Sequence, residues 1–219
     1  NSILIADEVG LGKTIEAGLI WTELRARFDL RRLVVVCPAV LREKWRFELS
    51  SKMGVRAEIV DAPRLLDVLG DEDAQERGFA VIGSLQGLRP RNEWENPEVN
   101  ASNSARLARF LVGQESEEPL VDLLIIDEAH YLRTAGNRSH EFGRLIRSVS
   151  DYSVFLSATP IHNRNDDLFS VLNLLDPDTF QRQADFDNIL ETNRPLVRAR
   201  DLVLQPDTRA SDVIEQLDI

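Results

Sequence analysis

Cysteine is almost missing from this chain: Cys37 stands alone, so no internal disulfide can brace the fold. A chain of 219 residues needs no such brace, because it buries roughly 70% of its unfolded surface on folding. A reduced, cytoplasmic setting is the expectation. Long apolar runs are missing too. None approaches the roughly 18 residues of a membrane span, and no charged-then-apolar leader is visible, so no membrane partner is expected. Histidine is scarce. His130, His140 and His162 occur without a His-Glu-x-x-His pattern or a second cysteine, which argues against a zinc centre; His140 and His162 read as surface residues. The net charge of −11 excludes a protein that coats nucleic acid over its whole surface, though not one with a local basic track. Of 26 basic residues only Lys13, Lys44 and Lys52 are lysines. That excess of arginine suits bidentate phosphate contacts, and a biased genomic base composition would produce it as well.

What is present begins near the start. The apolar run Ile3-Leu4-Ile5-Ala6 reads as a buried strand, and Ile15 to Phe28 carries apolar residues at helical spacing. Between them lies Asp7-Glu8-Val9-Gly10-Leu11-Gly12-Lys13-Thr14. Strand, glycine turn and helix form the context of a phosphate-binding loop. Gly10 and Gly12 let successive backbone N–H groups turn inward, and the start of the helix adds unpaired amides and a positive dipole end. Lys13 is placed to reach the β- and γ-phosphates and Thr14 to hold Mg²⁺. Asp7 stands where the strict pattern has glycine, so the loop by itself indicates only a nucleoside triphosphate.

Further apolar runs occur at Leu33–Cys37, Ala57–Val60, Phe79–Gly83, Val121–Ile126 and Tyr152–Leu156, separated by helical patterns over Leu41–Met53, Pro63–Leu69, Ser102–Val112, Ser139–Ser148 and Asp166–Leu175. Continuous apolar strands alternating with helices predict an α/β domain with a mostly parallel sheet covered on both faces. The polar, proline-containing segment 86–119 reads as an insertion lying on the surface. Beyond Asp176-Pro177 the chain is more polar and is expected to be helical in pieces. No internal repeat appears. The chain opens inside its first strand, and we read it as an excised piece of a longer protein.

In such sheets ligands sit beyond the carboxyl ends of the strands, and three strands here end in polar clusters. The run Val121–Ile126 ends in Asp127-Glu128-Ala129-His130. Asp127 suits a Mg²⁺ ligand opposite Thr14, and Glu128 suits the group that orients or deprotonates a water. An acidic strand end facing solvent is the plainer alternative. Ser157 and Thr159, after the last strand, are either functional hydroxyls or an ordinary cap for the next helix.

Taken together, these stretches resemble the Swi/Snf-type DNA-dependent ATPases of helicase superfamily two, in their first RecA-like, P-loop motor lobe and in its bacterial form. Asp7 to Thr14, continuing Ile15-Glu16-Ala17-Gly18, is similar to motif I of that family, which carries Asp at the first position. Val36 to Leu41 with Trp45 and Glu48 resembles motif Ia, and Ile82-Gly83-Ser84-Leu85 loosely resembles motif Ib. Asp127 to His130 is similar to motif II (the DEAH box) and Leu156 to Pro160 to motif III. Ile161 to Arg164, with Leu175-Asp176-Pro177, resembles the family's segment after motif III.

The resemblance implies lobe 1 over residues 1–180 and, over 181–219, a helical extension leading toward a second RecA-like lobe that carries an arginine finger. It implies ATP and Mg²⁺ as cofactors, with the loop Asp7, Glu8, Val9, Gly10, Leu11, Gly12, Lys13 and Thr14 on the nucleotide. Thr14 and Asp127 would hold the metal, and Lys13, Asp127 and Glu128 would carry catalysis. His130, Ser157, Ala158 and Thr159 would couple nucleotide state to DNA. Pro38, Ala39, Val40 and Ser84 would touch the backbone of double-stranded DNA, giving register without sequence preference. Arg42, Lys44 and Arg46 are either a local basic track or a solvated helix face. The expected activity is ATP-driven translocation on double-stranded DNA that remodels a DNA-bound protein complex, with the 219 residues alone nearly inactive. The alternatives are a strand-separating RNA or DNA helicase and a nucleotide-gated scaffold.

Overall fold

The computed structural model describes residues 1–7, 12–114, 118–157, 165–205 and 209–215. Six strands form one sheet: β1 (Ser2–Ile5), β2 (Arg32–Cys37), β3 (Glu58–Val60), β4 (Phe79–Ser84), β5 (Val121–Ile126) and β6 (Ser150–Leu156). Their order is β1-β6-β5-β2-β4-β3, and every pairing is parallel. The expected α/β architecture is therefore observed. The chain leaves β1, passes over two positions to lay down β2, and later returns to fill the gap with β5 and β6. That reversal opens a crevice at the carboxyl ends of the strands, where open α/β sheets bind ligands.

Alternation along the strands assigns the helices to two faces. On β2, Leu33, Val35 and Cys37 join Leu123 and Ile125 of β5 in a core packed against Ala17 and Trp21 of α1 (Lys13–Phe28) and Trp45 and Leu49 of α2 (Arg42–Met53). The alternate residues Val34, Val36, Leu124 and Ile126 face the other core. That core is covered by α3 (Ala62–Gly70), α6 (Asn103–Val112), α7 (Arg138–Ser148) and α8 (Asn165–Leu175). Both faces are thus apolar, which is why these strands read as continuous hydrophobic runs. Each fully buried Leu, Ile or Val here contributes about 1.5–3 kcal/mol relative to exposure.

Two short helices escape the periodic pattern. The acidic α4 (Glu72–Arg77) is started by Asp71, whose side chain accepts from the Asp73 N–H; α5 (Leu85–Leu88) is capped by Ser84 through the Gly87 N–H. The segment 86–119 needs correction as a surface insertion. Its helix α6 turns Ala105, Leu107, Ala108 and Leu111 fully into the core and packs along α3. The stretch leading up to it, with Glu93 at φ 54°, lies mostly exposed. His140, expected at the surface, is half-buried on α7.

The chain divides into two compact units, Asn1–Asp176 and Pro177–Ile219. The second unit holds α9 (Gln183–Val203) and α10 (Ala210–Glu215). Within it Phe186 and Ala199 are buried and Phe180 packs edge-on against Phe186, with ring centroids 6.2 Å apart. Pro195 lies inside α9, yet the helix runs unbroken for 21 residues. No helix among the described residues is long and apolar enough to cross a membrane.

Candidate functional site: a cleft at the strand ends

The position of Asp127 is set by the strand before it. Leu123 and Ile125 point toward α1 and α2, so the next residue of that parity, Asp127, points the same way. Its backbone N–H still donates to the Val36 carbonyl at 2.8 Å, as a last rung of the ladder to β2. Strict alternation would send Glu128 to the opposite face. Glu128 instead adopts a left-handed backbone conformation (φ 55°, ψ 48°), which ends the strand and opens a 3-10 turn, Ala129–Leu132. Such a conformation is uncommon for a residue with a Cβ, and residues held this way cluster at functional sites.

As a result both acids line one cleft with the start of α1. Its volume is about 420 Å³, and its wall includes Gly12, Lys13 and Thr14 from one side and Asp127 and Glu128 from another. Gly12 precedes the helix at φ 96°, a conformation open to glycine, and no side chain caps this terminus. Its carbonyl accepts from the N–H groups of Ile15 (2.7 Å) and Glu16 (3.1 Å). The amides of the first turn and the positive end of a helix of 16 residues thus face the cleft that the two carboxylates border. The Lys13 ammonium donates to the Asp7 carbonyl at 2.8 Å. Glu8, Val9, Gly10 and Leu11 lie outside the described residues.

No sequence expectation places the third wall at the nucleotide cleft, although Leu41 and Glu48 belong to the segment resembling motif Ia and Lys44 to the candidate basic track. Leu41, Lys44, Glu48 and Lys52 come from α2 and the turn before it, with the three polar residues at intervals of four along one helix face. Lys52 lies 3.7 Å from Glu48. Beneath them the indole of Trp45 donates to Asp127 Oδ2 at 2.9 Å, while Asp127 Oδ1 accepts from the Glu128 N–H at 2.9 Å. Trp45 is 1% exposed and Asp127 9%. In the sequence Trp45 carries the signal of an apolar helix face and a place in the motif Ia resemblance, neither of which links it to Asp127. His130 Nδ1 lies 3.0 Å from Glu128 Oε2 across the 3-10 turn. Cys37, at the end of β2, has its thiol pushed up to about 12, first by burial and then by the charge of Asp127, with Arg42 opposing. It is therefore a packing residue and not a nucleophile.

The remaining site residues fall into two groups. Ala39 and Val40 form a 3-10 turn after β2 and are exposed, Val40 to 85%; Pro38 beside them is buried. Ser84 is buried and its hydroxyl serves as the cap of α5, which leaves Gln86 as the polar group near that turn, accepting from the Ala39 N–H at 3.2 Å. The basic track does not assemble: Arg46 pairs with Glu43, Arg42 donates to the Ala39 carbonyl, and Lys44 lines the cleft. Ser157 is buried at the end of β6, its N–H bonded to the Ile5 carbonyl at 3.0 Å. Ala158, Thr159 and the adjoining stretch to Arg164 lie outside the described residues.

Hard oxygen donors, a hydroxyl and a carboxylate with a free lone pair on each oxygen, are what Mg²⁺ takes when phosphate and water supply its other ligands. Thr14 and Asp127 fit that requirement. No group of three or more His, Cys, Asp or Glu that could form an all-protein metal cage exists among the described residues.

Comparison with known proteins places this arrangement. A family model described as SNF2-related domain matches residues 1–206. The RNA polymerase-associated protein RapA of Yersinia enterocolitica is 30% identical over 219 residues, covering 98% of this chain and 21% of the relative. RapA of Photobacterium profundum is 30% identical over 196 residues, covering 88% of this chain and 18% of the relative. The chain thus spans about one fifth of the curated relatives it matches. Among solved structures, the fold resembles the Sulfolobus solfataricus SWI2/SNF2 ATPase core in complex with double-stranded DNA (TM-score 0.57, 21% identity, 85% of this chain and 34% of that one). It also resembles the Pyrococcus furiosus Hef helicase domain (TM-score 0.54, 18% identity, 80% of this chain and 33% of that one). With the family match spanning the whole sheet and the strand-end cleft, the chain belongs to the SNF2-related domain family.

Proposed function

We propose that this lobe binds ATP with Mg²⁺ in the cleft between α1 and β5 and powers translocation on double-stranded DNA once a second lobe closes over the nucleotide. The observation that carries the reading is the convergence of Lys13, Thr14, Asp127 and Glu128 on one cleft from elements more than a hundred residues apart. Phosphoryl transfer asks mainly for charge neutralisation and an oriented water, which these groups are suited to supply. The first-turn amides of α1 and the Lys13 ammonium would cradle the β- and γ-phosphates. Thr14 and Asp127 would hold the metal, which when bound supplies charge neutralisation across the phosphate oxygens. Glu128, steadied by His130, would orient the attacking water and take its proton. Asp7 and the loop through Leu11 would complete the phosphate cradle, and Ser157, Ala158 and Thr159 with His130 would relay nucleotide state.

Ala39 and Val40, exposed beside Pro38, would meet the DNA backbone through the turn after β2, with Gln86 rather than Ser84 as the neighbouring polar contact. The second unit would begin the helical extension toward the other lobe. An arginine supplied by such a lobe can change the rate by roughly 10³–10⁵, so the 219 residues alone are expected to hydrolyse ATP barely. The relatives' name makes RNA polymerase the first protein complex to offer as a substrate for remodelling.

The test uses the full-length gene product. ATP turnover stimulated by double-stranded DNA, with displacement of a third strand from a triplex, is the expected result. Glu128→Gln should abolish turnover while nucleotide still binds. Unwinding of a duplex without triplex displacement would point to a strand-separating helicase instead, and undiminished remodelling by Glu128→Gln would point to a nucleotide-gated scaffold.

A further inference from the structure

Trp45 has no place in the chemistry assigned above, yet its indole donates a buried hydrogen bond to Asp127. A buried indole N–H usually finds an acceptor; that of Trp21, in the same core, has none among the described residues. For Trp45 the acceptor is the carboxylate at the rim of the nucleotide cleft, 82 positions away in the chain. The two oxygens of Asp127 are each fixed by one donor, Oδ1 by the Glu128 N–H and Oδ2 by the Trp45 indole, both at 2.9 Å. Two donors at opposite ends of a carboxylate set its plane and its rotation about the Cβ–Cγ bond, and leave each oxygen a lone pair directed elsewhere. The indole cannot drift, because Trp45 is 1% exposed in the core shared by α1, α2 and the sheet.

We infer that Trp45 is a positioning residue for the metal-holding carboxylate: its indole N–H, delivered by α2, locks Asp127 in the orientation that presents it to a divalent cation beside Thr14. This rests on the reading of the cleft as a Mg²⁺–nucleotide site. Partners that orient a metal ligand typically affect metal affinity by about 10–100-fold when removed. A tryptophan that served packing alone would, on removal, lower stability and leave the metal dependence untouched.

The experiment uses the full-length gene product and its Trp45→Phe variant, which keeps an aromatic ring and deletes the donor. Three quantities are measured: the melting temperature without metal, the affinity for a fluorescent ADP without metal, and the Mg²⁺ concentration that gives half of the metal-dependent gain in that affinity. The expected result is an ADP affinity without metal within about two-fold of the parent, and a Mg²⁺ midpoint raised about ten-fold or more. A folded variant whose Mg²⁺ midpoint stays within about two-fold of the parent overturns the inference alone. Should Trp45→Phe fail to fold, replacing Trp45 by 3-benzothienylalanine, which has the same bicyclic outline and no N–H, decides by the same criteria. A parent protein whose ADP affinity gains nothing from Mg²⁺ overturns the reading of the cleft and the inference with it.

Discussion

Asp122 and Arg32 are joined at the end of the sheet opposite the cleft. The Asp122 carboxylate accepts from the backbone N–H groups of Arg31 (2.6 Å) and Arg32 (2.7 Å) and from the Arg32 guanidinium through Nε (2.8 Å) and Nη2. The same guanidinium reaches Gln75 through Nη1 at 2.9 Å, and Gln75 in turn donates to the Leu69 carbonyl. One buried acid thereby ties the first residues of β2 and β5 to the helical layer. Asp122→Ala leaves a largely buried guanidinium and two amides without their acceptor, and is expected to cost about 3–5 kcal/mol in urea unfolding. Asp122→Asn, which keeps an acceptor, should cost less, about 1–3 kcal/mol. Neither should change the Mg²⁺ dependence of nucleotide binding, because the network lies at the far edge of the strands.

The Cys37 thiol, raised to about 12 by burial and by Asp127, should be inert in the folded protein. At pH 8 only about one part in ten thousand is thiolate, against a sizeable fraction for a free cysteine. Titration with a thiol reagent should show no fast phase under native conditions and one equivalent in denaturant. Rapid native labelling would mean that β2 opens at its carboxyl end.

His140 is held below its ordinary value of 6.5, chiefly by burial, with Arg144 lowering it further and Glu141 opposing. The unfolded chain therefore binds this proton more readily than the folded one. The resulting contribution to stability is complete above about pH 6.5 and is lost as pH falls through the lower folded value. His140→Gln should flatten that part of the stability profile while leaving the neutral-pH plateau close to the parent. An unchanged acid limb in the variant would assign the loss to other groups.

Gly78 connects α4 to β4 at φ 78°, and a Cβ there would lie 2.4 Å from the Arg31 Cβ and 2.7 Å from the Arg31 carbonyl oxygen. That carbonyl accepts from the Phe79 N–H at 3.0 Å, so it cannot retreat cheaply. Gly78→Ala is expected to destabilise by about 3 kcal/mol, combining left-handed strain with a backbone clash. Gly18→Ala makes a useful contrast. Its Cβ would meet the flexible tip of Met53, which can swing aside, so a loss of about 1 kcal/mol is expected in thermal melts.

How much of the fold and the cleft is legible in the sequence depends on whether the information is periodic. Strands such as Leu33–Cys37 and Val121–Ile126 announce themselves because both of their faces are covered, and the parallel sheet comes with them. Lys13, Thr14, Asp127 and Glu128 are legible as candidates from residue type and placement after strands, and the fold brings them to one cleft. The α6 helix is legible over Ser102–Val112, but its burial is not, because the polar stretch before it reads as surface while four of its residues point inward. Helix α4 leaves no apolar stripe to read, since Ala74 alone is buried. Pro195 suggests a break in α9 that does not occur. Trp45 and Asp122 illustrate the deeper limit. Trp45 looks like its neighbours on an apolar face and Asp122 stands out as an acid inside an apolar strand, while the polar partner of each lies 82 or about 90 residues away, a distance that no local pattern encodes.

The seat of Asp127 is unusually stiff. All six residues of β5 are buried, and the strand is hydrogen-bonded to β2 on one side and β6 on the other. Shifting that acid by even a small amount would tear rungs from both neighbours and disturb two cores at once. Any movement coupled to the proposed nucleotide cleft would therefore have to arise outside the sheet, which would stay still beneath it, as a fixed bearing lets a crank turn.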